Sequence, residues 1–492
     1  MLPNKLKEKY NELADFFDRP AWKNRVLFYL AIFVSIAAAF LIVFEIFKLI
    51  FSDLSILNNT AYTQYNATDL SNMGFFDNER YLLSALVQSL AATIALVITL
   101  SLVAVQLAAQ SYSARIIDVY KRNPDMWILL CIYIITIFYG LGLTKIIGLG
   151  ILGNYIEGAI FVAYFMGFFA FVCLVPYMLK TLDLLKPSTV ITLLAEEITK
   201  EKILEFLDNG DDVDEKDPIQ PIIDIINNSL DRNDYETVRN GLKAIKNSTI
   251  LIFENAHFLI GEEDKVASRV LQHVERFGTQ AAKKENEDST LATIQILEKI
   301  GIKATEQKLE EVSIKTSLTL GKMGVEAVKQ KLDKVASETV KALGNIGNEI
   351  TNVELKNASW ASVSNIEKVG VKAAEQGFRE VIWNTSKELE RVGIKTAEKE
   401  YKSATEKAID ALEKTGIISI EQELEKEATR IAGSLHIIGL KSTKKQLDNT
   451  AIKSVEALVN LGTKAAEEIF ENTLWMTTLA IGKIGVKAAT QV

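Results

Sequence analysis

Hydrophobic and polar positions along the chain follow two regimes. In the first part, apolar residues run in long blocks at 26–51, 81–110, 126–147 and 155–183. Each block exceeds the roughly 20 residues that span a bilayer's hydrocarbon core, so four transmembrane helices are predicted. In the second part, apolar residues return at gaps of three and four, the spacing of a helix face. Between Gly324 and Ile346 they are Val325, Val328, Leu332, Val335, Val340, Leu343 and Ile346. The expected fold is all-α: a four-helix transmembrane domain, a helical adaptor and an α-solenoid.

The solenoid is announced by glycine. Gly278, Gly301, Gly324, Gly347, Gly370, Gly393, Gly416, Gly439, Gly462 and Gly485 stand 23 residues apart without a break. A fixed period of this length marks a stacked repeat array. One continuous helix is excluded, because 23 is a multiple of neither the heptad nor the eleven-residue period, and the apolar stripe would jump at each unit. The glycines are therefore expected to cap helices in the left-handed conformation. Ser313, Ser337, Ser359 and Asn384 offer a second, mid-unit break as N-caps. This reading gives two short helices per unit, about nine residues each, and its alternative is one helix of about 19 residues paired antiparallel with the next. The strings VKALGNIG (340–347), LTLGKMG (318–324), LAIGKIG (479–485) and EAVKQKL (326–332) resemble the helices of HEAT-like repeats. That resemblance implies an α-solenoid that presents a protein-binding surface and brings no catalytic residue.

These patterns divide the chain into a cytoplasmic segment at 1–25, the four spans at 26–186 with an external loop at 52–80, the adaptor at 187–277 and the array at 278–492. Basic residues fix the expected orientation. Lys5, Lys7, Lys9, Arg19, Lys23, Arg25, then Arg115, Lys121 and Arg122, then Lys180 and Lys186 fall on one side. The positive-inside rule puts both termini in the cytoplasm of a multi-pass cell-membrane protein. Trp22, Tyr81, Trp127 and Tyr155 lie near the expected interfaces. Asn58 and Asn66 head acceptor sequons for glycosylation in the external loop. Cys131 and Cys173 lie within spans and imply no disulfide framework. From residue 94 to 141, the run LVAVQLAAQ-SYSAR followed by FYGL resembles the DUF2254 family of predicted membrane proteins. Ala114 stands where that family usually has proline. The resemblance implies membrane topology and no defined activity.

Candidate chemistry is sparse. Gly148, Gly150 and Gly153 formally match a dinucleotide-binding string, but they fall in a turn between spans with no preceding strand. The acidic stretch 208–217 lacks the glycine and glutamate places of a calcium loop. His257, His273 and His436 are too scattered for a metal cluster. No catalytic, cofactor-binding or metal-binding residue is assigned, and an enzyme is not expected. The formal net charge is −8, and the repeats mix both signs, so nucleic acid is not an expected partner. Glu45 and Lys48 are read as a pair at the outer end of the first span. Trp360, Trp383 and Trp475 share one unit position and are expected in the inter-repeat core.

One feature within the spans stands out. Ser84, Gln88, Ala92, Ala95, Thr99, Gln106, Gln110 and Ser113 share one face of span two. Polar groups in hydrocarbon must face protein or water. Gln88, Thr99, Gln106 and Gln110 are thus candidates for helix packing or for lining a pore in a homo-oligomer. The functional expectation is a membrane protein in the lipid bilayer whose solenoid is a scaffold for a protein partner. The alternative is an oligomeric ion channel with the solenoid as gate or sensor.

Overall fold

The computed structural model describes residues 23–38, 75–111, 124–147, 156–183, 185–208, 217–255, 258–259 and 261–490. The chain divides into two compact units, Met1–Thr189 and Val190–Val492. The described residues are helices joined by short turns.

The first unit contains α1 (23–38), α2 (Phe75–Ser111), α3 (Pro124–Ile147) and α4 (Ile156–Asp183). Three stretches, Asn78–Leu107, Pro124–Ile147 and Gly158–Asp183, are long and apolar enough to cross a membrane. The first expected span is represented by α1, and its remainder, 39–51, lies outside the described residues. The core forms where Tyr29 of α1, Leu90 and Val97 of α2, Leu129 and Tyr133 of α3, and Phe169, Ala170 and Cys173 of α4 meet. Glycine permits the close approaches. A Cβ on Gly140 would stand 2.6 Å from Val87, and one on Gly167 would stand 2.9 Å from Leu86. At one end of α3, Arg25 Nε lies 3.5 Å from the buried Asp125 carboxylate.

The second unit begins within α5 (Pro187–Glu196) and continues with α6 (Lys200–Asp208), α7 (Gln220–Asp231) and α8 (Tyr235–Asn255). Ten helices follow: α9 (Glu262–Lys283), α10 (Glu287–Glu306), α11 (Glu310–Lys329), α12 (Asp333–Val353), α13 (Lys356–Glu375), α14 (Arg379–Glu398), α15 (Lys402–Glu421), α16 (Glu425–Lys444), α17 (Asp448–Glu467) and α18 (Glu471–Ala489). Each 23-residue unit is one helix, so the two-helix expectation is wrong and its alternative holds. Each helix packs on its successor and on the helix two along. The expected adaptor boundary at 277/278 falls inside α9, and the stacking already includes α8, which packs on α10.

The ladder glycines are not caps. All ten lie within helices, and the positive-φ glycines are Gly261 and Gly377. Their role is close approach. A Cβ on Gly301 would stand 3.0 Å from Thr316 and 2.6 Å from Ile346; on Gly324 it would stand 2.9 Å from Thr339 and 2.7 Å from Val369. The first partner lies 15 residues on, near the start of the next helix, so successive helices run antiparallel. The second lies 45 residues on, at a matching height, so alternate helices run parallel. Ser313, Ser337, Ser359 and Asn384 also lie inside helices, not at breaks. The Ser313 and Ser359 hydroxyls donate to Leu309 O and Leu355 O, satisfying buried polar groups on their own helix.

The real break is a left-handed residue that is almost never glycine. Glu285, Lys308, Lys331, Glu354, Gly377, Glu400, Glu423, Gln446 and Ile469 all have φ between 55° and 74°. The residue after each sends its N–H back over the turn: Leu332 N to Ala327 O at 2.9 Å, Phe470 N to Ala465 O at 2.8 Å. With the shorter bond from Lys331 N to Val328 O at 3.1 Å, this is a Schellman closure. The same apolar residue then starts the next helix: Leu309, Leu332, Leu355, Phe378, Tyr401, Leu424, Leu447 and Phe470 occupy the N-cap without a side-chain bond. A link of only two or three residues that ends one helix and begins another explains why the register never slips.

Candidate functional site

In α2, Leu83, Val87, Leu90 and Val97 are buried against the first unit's core, and the Ser101 hydroxyl lies 2.7 Å from the Tyr177 hydroxyl. Gln88, Thr99, Gln106 and Gln110 are all exposed. At 100° per residue, they sit about 160° round the helix from the packed stripe. Packing within the described part of the unit therefore does not account for them. Gln88 Nε2 donates to Ser84 Oγ at 3.3 Å, and Thr99 Oγ1 donates to Ala95 O at 2.8 Å. Ile98 and Leu100 beside Thr99 are exposed as well.

The array surface carries the three tryptophans that were expected in the core. Trp360, Trp383 and Trp475 are 45%, 49% and 66% exposed. Two are held by cations from the helix two along: Lys407 Nζ lies 5.8 Å from the Trp360 ring centre, and the Arg430 guanidinium lies 5.5 Å from that of Trp383. Beside Trp360, Lys356 lies over the Tyr401 ring at 5.5 Å, at the edge of a cavity of about 620 Å³ that Asn357 and Lys402 also line. Unit position could not separate core from surface here, because the same place holds Ser337, Glu406 and Thr429 in other helices. That mixture was the available signal.

Charges on the array pair between alternate helices. Lys322 reaches Glu275 at 2.9 Å, Lys414 reaches Glu367 at 3.0 Å, and Lys453 reaches Asp410 at 2.8 Å. Each such exposed pair contributes little to stability.

Sequence reasoning missed one polar cluster. Asp217, fully buried, accepts from Arg269 Nη2 at 2.8 Å and from Ile219 N at 2.9 Å, and lies 2.6 Å from His273 Nε2. Burial alone would raise its pKa. The His273 contact, the Ile219 N–H and the Arg269 charge overcome that and bring it down to about 2. Arg269 also stacks on Phe206 at 4.6 Å. Next to it opens a cleft of about 1140 Å³ lined by Gln220, Asp264, Lys265 and Arg276. Lys265 faces Asp208 at 3.7 Å, and Lys315 pairs with Asp264, so the cleft carries both charge signs. Among the described residues, no group of His, Cys, Asp or Glu is placed to hold a metal ion.

Asn58, Asn66, Glu45, Lys48, Ser113, Arg115, Lys121, Arg122, Gly148, Gly150, Gly153, Asn209–Lys216 and His257 lie outside the described residues.

Residues 23–242 match the family described as "Predicted membrane protein (DUF2254)". The DUF2254 match is wider than the 94–141 resemblance: it starts at α1, includes α2, α3 and α4, and ends inside α8. The array from α9 onward lies beyond it. The chain is also similar to a solved structure described as a circular tandem repeat protein with novel repeat topology and enhanced subunit contact surfaces. That similarity has 13% identity, a TM-score of 0.33, and coverage of 81% of this chain and 97% of the other. No curated protein matches.

Proposed function

We propose that this is a membrane-anchored scaffold whose helical array binds a protein partner. The exposed indoles of Trp360 and Trp383 carry this reading. Large aromatic side chains dominate binding energy at interfaces. Here each is oriented by a cation from another helix before any partner arrives, which lowers the ordering cost of binding. The reading includes no catalytic step. In this reading both termini are cytoplasmic, which the basic residues flanking the spans support.

The test is cross-linking and recovery of the full-length chain from membranes, comparing wild type with Trp360→Ala/Trp383→Ala. A bound protein that is recovered with wild type and lost with the variant, at unchanged melting temperature, is the expected outcome. An identical set of recovered proteins would overturn the reading. The competing reading is an oligomeric channel, in which the outward face of α2 lines water. It predicts ion flux in vesicles that substitutions at Gln88 or Thr99 alter.

A further inference from the structure

Helix α2 carries two heptad seams. The first, Leu83, Val87, Leu90, Ile94, Val97 and Ser101, steps by four and three and is packed within the unit. The second is the same pattern shifted by five residues: Gln88, Ala92, Ala95, Thr99, Leu102 and Gln106. All six of its residues are exposed. A helix face that meets only lipid has no use for a heptad of small and amide residues, because lipid tails satisfy neither.

We propose that two copies of this chain pair in the bilayer through the second seam, α2 against α2, about a two-fold axis along the membrane normal. Both copies insert in one orientation, so the helices are parallel and each seam residue meets its own counterpart. The chemistry suits that pairing. An amide both donates and accepts, so glutamine facing glutamine is self-complementary. Gln88 lies about a third of the way along the span Asn78–Leu107, within the apolar stretch where an amide facing lipid is costly, and the Ser84 contact uses only one of its hydrogen-bonding positions. Ala92 and Ala95 let the backbones approach, and a spacing of 3.5 residues matches a left-handed crossing. Leu96, Leu100 and Val103, also exposed, lie to one side of the seam and meet lipid.

The experiment uses the full-length chain with Cys131→Ala and Cys173→Ala, reconstituted at low protein density in phosphatidylcholine–phosphatidylglycerol vesicles. Single cysteines are placed on the seam (Ala92→Cys, Ala95→Cys, Thr99→Cys) and beside it (Leu96→Cys, Leu100→Cys), then oxidised mildly. The expected result is disulfide-linked dimer on the seam at about fivefold the yield beside it. Adding Gln88→Leu and Gln106→Leu should lower the Ala95→Cys yield roughly threefold or more. Equal or absent cross-linking at all five positions would overturn the proposal. So would rapid modification of Thr99→Cys by a water-soluble thiol reagent, since that puts water where the seam is dry. The result is independent of whether Trp360 and Trp383 bind a partner.

Discussion

Gly324 and Val369 sit 45 residues apart and press together across alternate helices: a Cβ on the glycine would stand 2.7 Å from Val369 Cγ2. Thr339 closes the other side at 2.9 Å. Both neighbours are β-branched and have little rotamer freedom to yield. Gly324→Ala should therefore destabilise the array by about 1–3 kcal/mol, the cost of overpacking, less about 1 kcal/mol of helix propensity gained. Gly485 is on the same ladder, but no atom lies within 4 Å of its Cβ position. Gly485→Ala should stabilise by about 0.5–1 kcal/mol. Opposite shifts in melting temperature would establish close approach as the reason for the ladder. Equal losses would restore capping.

The left-handed turn residues make a complementary prediction. Lys331 and Glu423 have φ of 58°, a region that costs a side chain and is free to glycine. Lys331→Gly and Glu423→Gly should each raise stability by about 0.5–1 kcal/mol. Gly377→Ala, at φ 74°, should lower it by a similar amount. Thermal unfolding followed by helical circular dichroism reads all three.

The array was legible in the sequence because glycine recurs without a slip, and so was its helical character, because Val325 to Ile346 step by three and four. The glycine's meaning was not legible. Capping and close packing both select glycine, and the spacing alone cannot show whether a Cβ would meet a neighbour. The true breaks were hidden because Lys331, Glu354 and Gln446 are ordinary helix formers, and Leu332 and Leu447 are poor N-caps by type. Leu332 and Leu447, which follow two of these left-handed residues, are buried. The α2 polar face was visible from its spacing, whereas its direction depends on which face α3 and α4 cover. The Asp217 cluster brings together residues 52 and 56 positions apart, beyond the reach of any local pattern.

Asp217 ties stability to acidity. Its folded-state pKa, about 2, lies below the ordinary 3.8, so its contribution is complete above pH 4 and is lost as the pH falls from about 4 to 2. The loss should amount to roughly 2–3 kcal/mol. Asp217→Asn should remove that acid dependence and cost about 3–5 kcal/mol at neutral pH, because Arg269 stays in place without its counter-charge. An unchanged acid transition in the variant would refute this role.

Glu388 should behave in the opposite sense. It is buried beside Gly344, and desolvation raises its pKa against the opposing pull of Arg391, whose Nη2 lies 2.5 Å away. An acid whose folded pKa is raised loses stability as the pH climbs through that value. Glu388→Gln should melt above wild type at pH 7, and the gap should close as the pH falls below the ordinary glutamate range. Arg391 is partly exposed, so losing its counter-charge costs little. A variant that melts lower at pH 7 would show that the ion pair outweighs the burial.

Because the repeating element is a single helix that bears the same relation to its successor everywhere, the array has no obligatory even count. Inserting or losing 23 codons within it, at any turn, would leave every remaining junction made of the same parts, while sending the chain's end to the opposite layer. Length and exit side are thus coupled by parity: paralogues differing by one unit would release whatever follows from opposite faces of the stack, and those differing by two from the same face.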